Sequence, residues 1–425
     1  MTVYKRDDNL NLGQLLGDIR VLLFLYISFR LILLMAYQPI LTDLGEQGIG
    51  TSGDRLYHYQ LAALSEDGNL PFRDWWSEFP PVWFITTTAT YLMLGETVNY
   101  TSWAMVLGVL MLVFEVGNLL MMRAIGTTLY GKNTGMALAW VYAVTVAPAI
   151  FMWWNFDAMM TFFLLLGLHY LLQKKHSKSA IAMGVGILVK FVPALMLGAV
   201  IRFRDAKQSI IYAVIAVITV AVVYVPLLGI NAEMTAVSLT SQFEKASYQS
   251  VWALLDGNYT TGNFGTIESH FSPEQAGFVE GKNSATIPSW LRLGIAGLIG
   301  LFVFVRTKRL DNIGIVAFVG ITTLIFYLQS QGWSPQWITQ IIPLTLLVFP
   351  NRTGVLVTVL LSLLSFTEYP FLWSRTGDLD PPGVMGGSLF MPWATVVIMR
   401  TLVLVGIAIA FYQKLRQEPI PELEN

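Results

Sequence analysis

The sequence predicts an all-helical, polytopic membrane protein, and composition and hydropathy patterning carry that prediction. Hydrophobic residues make up 55% of the 425 residues and charged residues 12%, about half the charge of an average soluble domain. The stretches 21–41, 101–122, 209–230 and 393–412 each approach or exceed the roughly 20 apolar residues that a helix needs to cross a bilayer. Hydrocarbon offers the backbone no hydrogen-bond partner, so such stretches must satisfy themselves as helices. The net charge of -1 leaves no basic surface to neutralise nucleic-acid phosphates. The absence of cysteine removes disulfides, thiolate chemistry and cysteine-based zinc sites.

Lys and Arg set the sidedness. Lys5, Arg6 and Arg20 precede a first apolar run that is long and followed by no small-residue cleavage site, so it reads as a retained span. Further bases gather in short breaks: Arg123 with Lys132, Lys174 with Lys175 and Lys178, Arg202 with Arg204 and Lys207, Arg306 with Lys308 and Arg309, Arg352, and Lys414 with Arg416. The positive-inside rule places these breaks and both termini in the cytoplasm. The loops 42–79, 153–157, 231–288, 329–336 and 373–387 then face outward. One membrane domain over 1–425 is expected, with about ten full spans, a first external loop at 42–98 and an external cap at 231–288.

Two apolar stretches do not read as ordinary spans. The run 179–201 has positive breaks at both ends and Lys190 in its middle, so it is expected to form a re-entrant pair of short helices meeting near Lys190. Broken backbone at membrane depth is tolerated where it lines a polar cavity. The run 80–94 is expected to lie along the interface, with Trp83, Phe84 and Tyr91 as the amphipathic rings. In the 231–288 segment Phe243, Tyr248, Trp252, Tyr259, Phe264 and Phe271 suffice to fold a cap.

The chemistry-bearing residues concentrate on the external side. Asp54, in Gly53-Asp54-Arg55-Leu56-Tyr57-His58, has two readings: a general base beside an acceptor hydroxyl, or a turn residue capping the helix that follows. In Arg73-Asp74-Trp75-Trp76-Ser77-Glu78-Phe79-Pro80-Pro81, Arg73 has the planar fork that pairs with phosphate, and Asp74 and Glu78 suit sugar hydroxyls or the orientation of that arginine. A structural corner, with Pro80 starting a helix, is the alternative. Asn155 and Asp157 mark the 153–157 corner. Lys190 is costly in hydrocarbon, which points to a phosphate ligand; snorkelling, or a pair with Asp157 or Glu115, is the bland reading. Arg30, Glu115 and Arg400 read as structural pairs within the bundle. Gln331, Trp333 and Gln336 form a polar, aromatic turn. His58, His169, His176 and His270 show no metal-ligand spacing, and no cofactor is expected.

Together these pieces resemble the GT-C superfamily of membrane glycosyltransferases, and within it glycosyltransferase family 87, which includes polyprenyl-phosphate-mannose-dependent alpha-mannosyltransferases. The resemblance rests on Gly53-Asp54 with Tyr57 and Tyr59, Arg73-Asp74 through Pro81, Asn155-Phe156-Asp157, Gly184 to Pro193, and Gly332 to Trp337. It implies that Asp54 deprotonates an acceptor hydroxyl, which displaces polyprenyl phosphate from a sugar with inversion. Arg55, Arg73 and Lys190 are then the candidates for the donor phosphate. His58, Asp74, Glu78, Asn155, Asp157, Gln331, Trp333 and Gln336 are the candidates for sugar or acceptor. A basic neighbour rather than a second acid beside Asp54 favours the metal-independent type. The implied partners are a polyprenyl-phosphate sugar donor, a lipid or glycan acceptor and membrane lipids, at an extracytoplasmic site. A secondary transporter or flippase for an amphipathic or lipid-linked solute also has a use for Lys190 and a broken helix, although no repeated halves are visible in the sequence.

Overall fold

Asparagine or aspartate just ahead of an apolar run starts many of the helices. Asp18, Asn99, Asp205, Asp311 and Asn351 each accept a hydrogen bond from a backbone N–H in the first turn that follows, satisfying a donor that the helix itself leaves open. Asn99 and Ser102 cap each other reciprocally. The computed structural model describes residues 12–43, 45–47, 53–145, 156–243, 245–260, 265–276, 281–376 and 383–419. The corner residues Trp154 and Asn155, and Phe264 of the cap, lie outside the described residues.

The chain is an all-α integral membrane protein. Among the described residues seven helices are long and apolar enough to cross a membrane: Ile19–Ala36, Tyr100–Tyr130, Ala206–Ile230, Ser289–Arg306, Asn312–Gln329, Arg352–Arg375 and Gly387–Arg416. Three shorter apolar helices, Asp157–Leu172, His176–Val189 and Val192–Phe203, accompany them. A two-stranded antiparallel hairpin, Ile40–Thr42 with Gly45–Gln47, sits in the first loop.

The 179–201 run breaks where Lys190 stands. The helix His176–Val189 ends there, Lys190 takes an extended conformation (φ -161°, ψ 144°), and a 3-10 turn Val192–Leu195 leads into Met196–Phe203. Pro193 lacks the N–H that a helix continuing from His176–Val189 would need at that position. Gly186 lets the two arms close up: a Cβ built there meets Pro193 Cγ at 2.9 Å and Phe163 Cβ at 3.1 Å.

The expectation that the rings of 80–94 rest in the lipid interface is corrected by their burial. Trp83, Phe84 and Tyr91 are 0%, 1% and 5% exposed, because the helix Pro81–Leu94 packs against Gly53–Ala63, Tyr100–Tyr130 and His176–Val189. Its aromatics serve the protein core instead of anchoring to lipid.

Arg30, Glu115 and Arg400, which the sequence marks as structural charges within the bundle, each have partners there. Glu115 accepts from the hydroxyls of Tyr26 (2.7 Å) and Tyr142 (3.2 Å). Arg30 donates to the Thr145 carbonyl and lies 4.5 Å from the Tyr26 ring centroid. Arg400 pairs with Glu368, donates to the Gln249 carbonyl and covers the Trp333 ring at 4.5 Å. Such pairs hold because breaking either partner leaves a buried charge without compensation.

Substituting Gly186→Val forces added carbon into the closed elbow at Lys190. A loss of about 1–3 kcal/mol of stability is expected from overpacking, read as a lowered thermal midpoint in detergent micelles relative to a Gly→Val change at Gly297, which has open space around it.

Candidate active site

Three loops that are distant in sequence meet above the bundle because polar groups of each satisfy the others. Trp76 and His270 exchange backbone and ring hydrogen bonds: Trp76 N donates to the His270 carbonyl (2.9 Å), and His270 Nδ1–H donates to the Trp76 carbonyl (2.6 Å). That fixes His270 Nε2 as the acceptor for the Tyr57 hydroxyl. Asn231 Nδ2 donates to the Arg73 carbonyl at 2.9 Å, and Gln242 Nε2 to the Glu78 carbonyl at 3.1 Å. The cap reaches the late turn through Tyr248 N to the Gln331 carbonyl and Trp333 N to the Tyr248 carbonyl. Gly332 permits this approach, since a Cβ there would lie 2.2 Å from the Tyr248 ring.

Beneath these loops is a cavity of about 670 Å³, within the roughly 300–1,000 Å³ of small-molecule sites. Its wall carries three carboxylates, Asp54, Glu78 and Asp157, and two ammonium groups, Lys190 and Lys245, among tyrosine, tryptophan and phenylalanine rings. Lys190 Nζ bonds both Asp157 oxygens at 2.9 and 3.1 Å. It also lies 5.2 Å from the Phe156 ring centroid and 5.4 Å from that of Trp337. Gln340 Nε2 donates to the same aspartate at 3.0 Å. Lys245 is paired with Glu78 inside the protein.

Asp54 stands apart from both pairs. It sits in the first turn of Gly53–Ala63, half-buried, and among the described residues its carboxylate takes part in no hydrogen bond or ion pair. The capping alternative therefore has no bond to support it there. Burial pushes its carboxyl up to about 6, with the Asp157 and Glu46 charges acting the same way and Lys245 and Lys190 opposing them. His58, four residues on and hence on the same helix face, lines the same cavity. Trp83 Nε1 donates to its Nδ1 at 3.2 Å, so the ring proton is on Nε2, which has no hydrogen-bond partner among the described residues. Burial holds His58 down at about 3; it is a neutral donor.

The structure brings Asp54, His58, Glu78, Asp157, Lys190, Gln331 and Gln336 to one cavity wall, and it places the remaining described candidates elsewhere. Arg55 is buried behind that wall, donating to the Tyr100 hydroxyl at 2.8 Å and to Glu46 at 2.5 Å. Arg73 and Asp74 form a local surface pair at 2.7 Å, with Asp74 also accepting from Leu70 N at 2.7 Å and Arg73 donating to the Gly68 carbonyl at 2.5 Å. Trp333 packs edge-on to Trp337 under Arg400 and is 3% exposed. Asn155 lies outside the described residues. Lys245 escaped sequence reading because Glu244-Lys245 looks like a solvated pair; the signal was a rare base in an acidic, aromatic cap. Among the described residues no group of three His, Cys, Asp or Glu converges as a metal-binding cluster.

In sequence, neither a family model nor a characterised protein matches the chain. In structure it is similar to ArnT from Cupriavidus metallidurans in the apo state, at 13% identity and TM-score 0.45, over 92% of this chain and 75% of that one. It is also similar to the Archaeoglobus fulgidus oligosaccharyltransferase in the apo form, at 12% identity and TM-score 0.42, over 94% of this chain. This chain spans 57% of that enzyme's length. The same organism's oligosaccharyltransferase AglB, in complex with an inhibitory peptide and a dolichol-phosphate, aligns at 12% identity and TM-score 0.36, over 95% of this chain and 56% of that one.

An isolated carboxyl in this wall has its own titration. Infrared difference spectroscopy across pH 4–8 on the detergent-purified protein is expected to show a carboxyl component titrating near pH 6, and that component is expected to vanish in Asp54→Asn. Its persistence in the variant contradicts the assignment.

Proposed function

We propose that the chain is an inverting glycosyltransferase that moves a hexose from a polyprenyl-phosphate donor to a hydroxyl of a lipid or glycan acceptor. The observation that carries this reading is a half-buried carboxylate left without a bonding partner, in one cavity with two lysines that are held by other acids. Asp54 takes the acceptor's O–H proton as that oxygen forms its bond to the anomeric carbon. The bond from the anomeric carbon to the phosphate oxygen breaks, and its electron pair leaves with the polyprenyl phosphate. One base and one direct displacement give inversion. A carboxyl titrating near 6 is a stronger base than an ordinary one while remaining ionised at neutral pH.

The departing phosphate gains negative charge, and preorganised cations lower the cost of that step. Lys190 and Lys245 fill this role in the proposal, in place of Arg55 and Arg73, which are committed away from the cavity. Asp157 and Glu78 hold the two ammonium groups in position. His58 Nε2–H, Gln331 and Gln336 are assigned to hydroxyls of sugar or acceptor. The resemblance to glycosyltransferase family 87 within the GT-C superfamily favours mannose, and the distribution of Lys and Arg favours an extracytoplasmic site beneath the 231–288 cap.

Assay of the purified protein in nanodiscs with a panel of polyprenyl-phosphate sugars and a total lipid extract tests the reading. Transfer is expected, and Asp54→Asn is expected to lower kcat about 10²–10⁴-fold without lowering the thermal midpoint, since an uncompensated carboxylate is removed. Lys190→Gln and Lys245→Gln are each expected to cost about 10²-fold or more. Transfer from no donor by the wild type overturns the proposal and favours a transporter, while sugar transfer by the Asp54→Asn variant within threefold of wild type overturns the role given to Asp54. In a separate measurement, kcat/KM is expected to fall tenfold per pH unit below about 6, where Asp54 takes up a proton; a profile flat from pH 4 to 8 contradicts the role given to Asp54.

A further inference from the structure

The helix Ser289–Arg306 serves two sites. Trp290 and Leu293 line the Asp54 cavity, while the other face of the same helix lines a second, apolar groove of about 540 Å³ against Asn312–Gln329 and the last helix. Arg292, Ile295, Ile299 and Phe302 recur at three- and four-residue spacing along this groove, as one stripe of a helix does. Arg292 is 3% exposed. Its Nη2 donates to Ser289 Oγ at 3.0 Å, and its guanidinium lies 5.1 Å from the Trp252 ring centroid. Its Nε and Nη1 have no hydrogen-bond partner among the described residues. Asp256 on the cap makes no ion pair with it; the Asp256 oxygens accept from Ser247 Oγ and Thr286 N, each at 2.6 Å.

A guanidinium buried at the head of a hydrocarbon-lined groove is costly unless an anion meets it. The groove's length indicates which kind of anion. Ten residues separate Arg292 from Phe302, or about 15 Å of helix at 1.5 Å per residue, which is half of a roughly 30 Å hydrocarbon core. A single acyl chain of one leaflet fits that run. Trp252, beside the guanidinium, is the ring type favoured at head-group depth. The geometry points to a bound phospholipid of the surrounding bilayer, with an anionic head group on Arg292 and one acyl chain along the Ile295–Ile299–Phe302 stripe. This site is separate from the donor site, and its proposal rests only on the membrane fold.

Native mass spectrometry of the full chain, delipidated in detergent and given equal amounts of phosphatidylglycerol and phosphatidylcholine, tests it. The wild type is expected to retain one phosphatidylglycerol with about tenfold preference, the scale of one charge-assisted contact. Arg292→Gln is expected to bring that preference to about one, and Ile299→Trp, at a half-exposed position that fills the groove, to lower retention of both lipids. Equal retention of the two lipids by the wild type overturns the proposal. So does an unchanged preference in Arg292→Gln, or one-for-one displacement of phosphatidylglycerol by equimolar polyprenyl phosphate, which assigns the groove to the donor's chain. If Arg292→Gln does not fold, Ile299→Trp decides: undiminished phosphatidylglycerol retention there rules the groove out.

Discussion

The structure depends on how charge is balanced inside a cavity whose wall is mostly apolar. Two ammonium groups and three carboxylates share one wall, and two of the carboxylates are taken by the lysines. Removing one member of such a pair strands the other at a cost of about 3–5 kcal/mol, so the pairs fix the segments that carry them. Lys190–Asp157 ties the break in one helix pair to the start of a neighbouring helix, and Lys245–Glu78 ties the cap to the first loop. What remains is one acid without an ion pair, whose charge is destabilised by burial and therefore reactive toward a proton.

The same demand explains why the loops assemble as they do. Each carries backbone groups that no helix satisfies, and each finds them in the others: Trp76 with His270, Tyr248 with Gln331 and Trp333, Gln242 with Glu78. Tyr57 stands three residues from Asp54 and bonds His270, so the helix that presents the acid is braced by the 231–288 segment. A displacement of the cap therefore moves both Lys245 and the base, the two groups that the proposed reaction needs in register.

Much of this was legible in the residues, and the failures have physical reasons. The apolar runs and the break at Lys190 follow from period and composition, while six helix starts, Asn231 included, repeat one Asn/Asp signal. Asp54 and Arg55 were both assigned to the site, but consecutive residues on a helix point about 100° apart, so one faces the cavity and the other the Glu46–Tyr100 cluster behind it. His58, four residues from Asp54, shares its face. Arg73 and Asp74 satisfy one another locally, which adjacent opposite charges do readily at a surface. Lys245 carries only a compositional signal, a rare base in an acidic, aromatic segment, and tertiary contacts are what aim it at Glu78. Trp83, Phe84 and Tyr91 mimic an interfacial belt in sequence; only the packing of neighbouring helices reveals that the protein itself covers them.

In the proposed reaction Asp54 faces a reacting carbon whose phosphate is held by Lys190 and Lys245. A structure of the protein with a non-transferable polyprenyl-phosphonate sugar tests it most directly. Phosphorus is expected between the two lysine ammonium groups, with the anomeric carbon between that phosphorus and the Asp54 carboxylate. A phosphonate bound at Arg73, or a sugar ring with Asp54 on the same side as the leaving group, contradicts it.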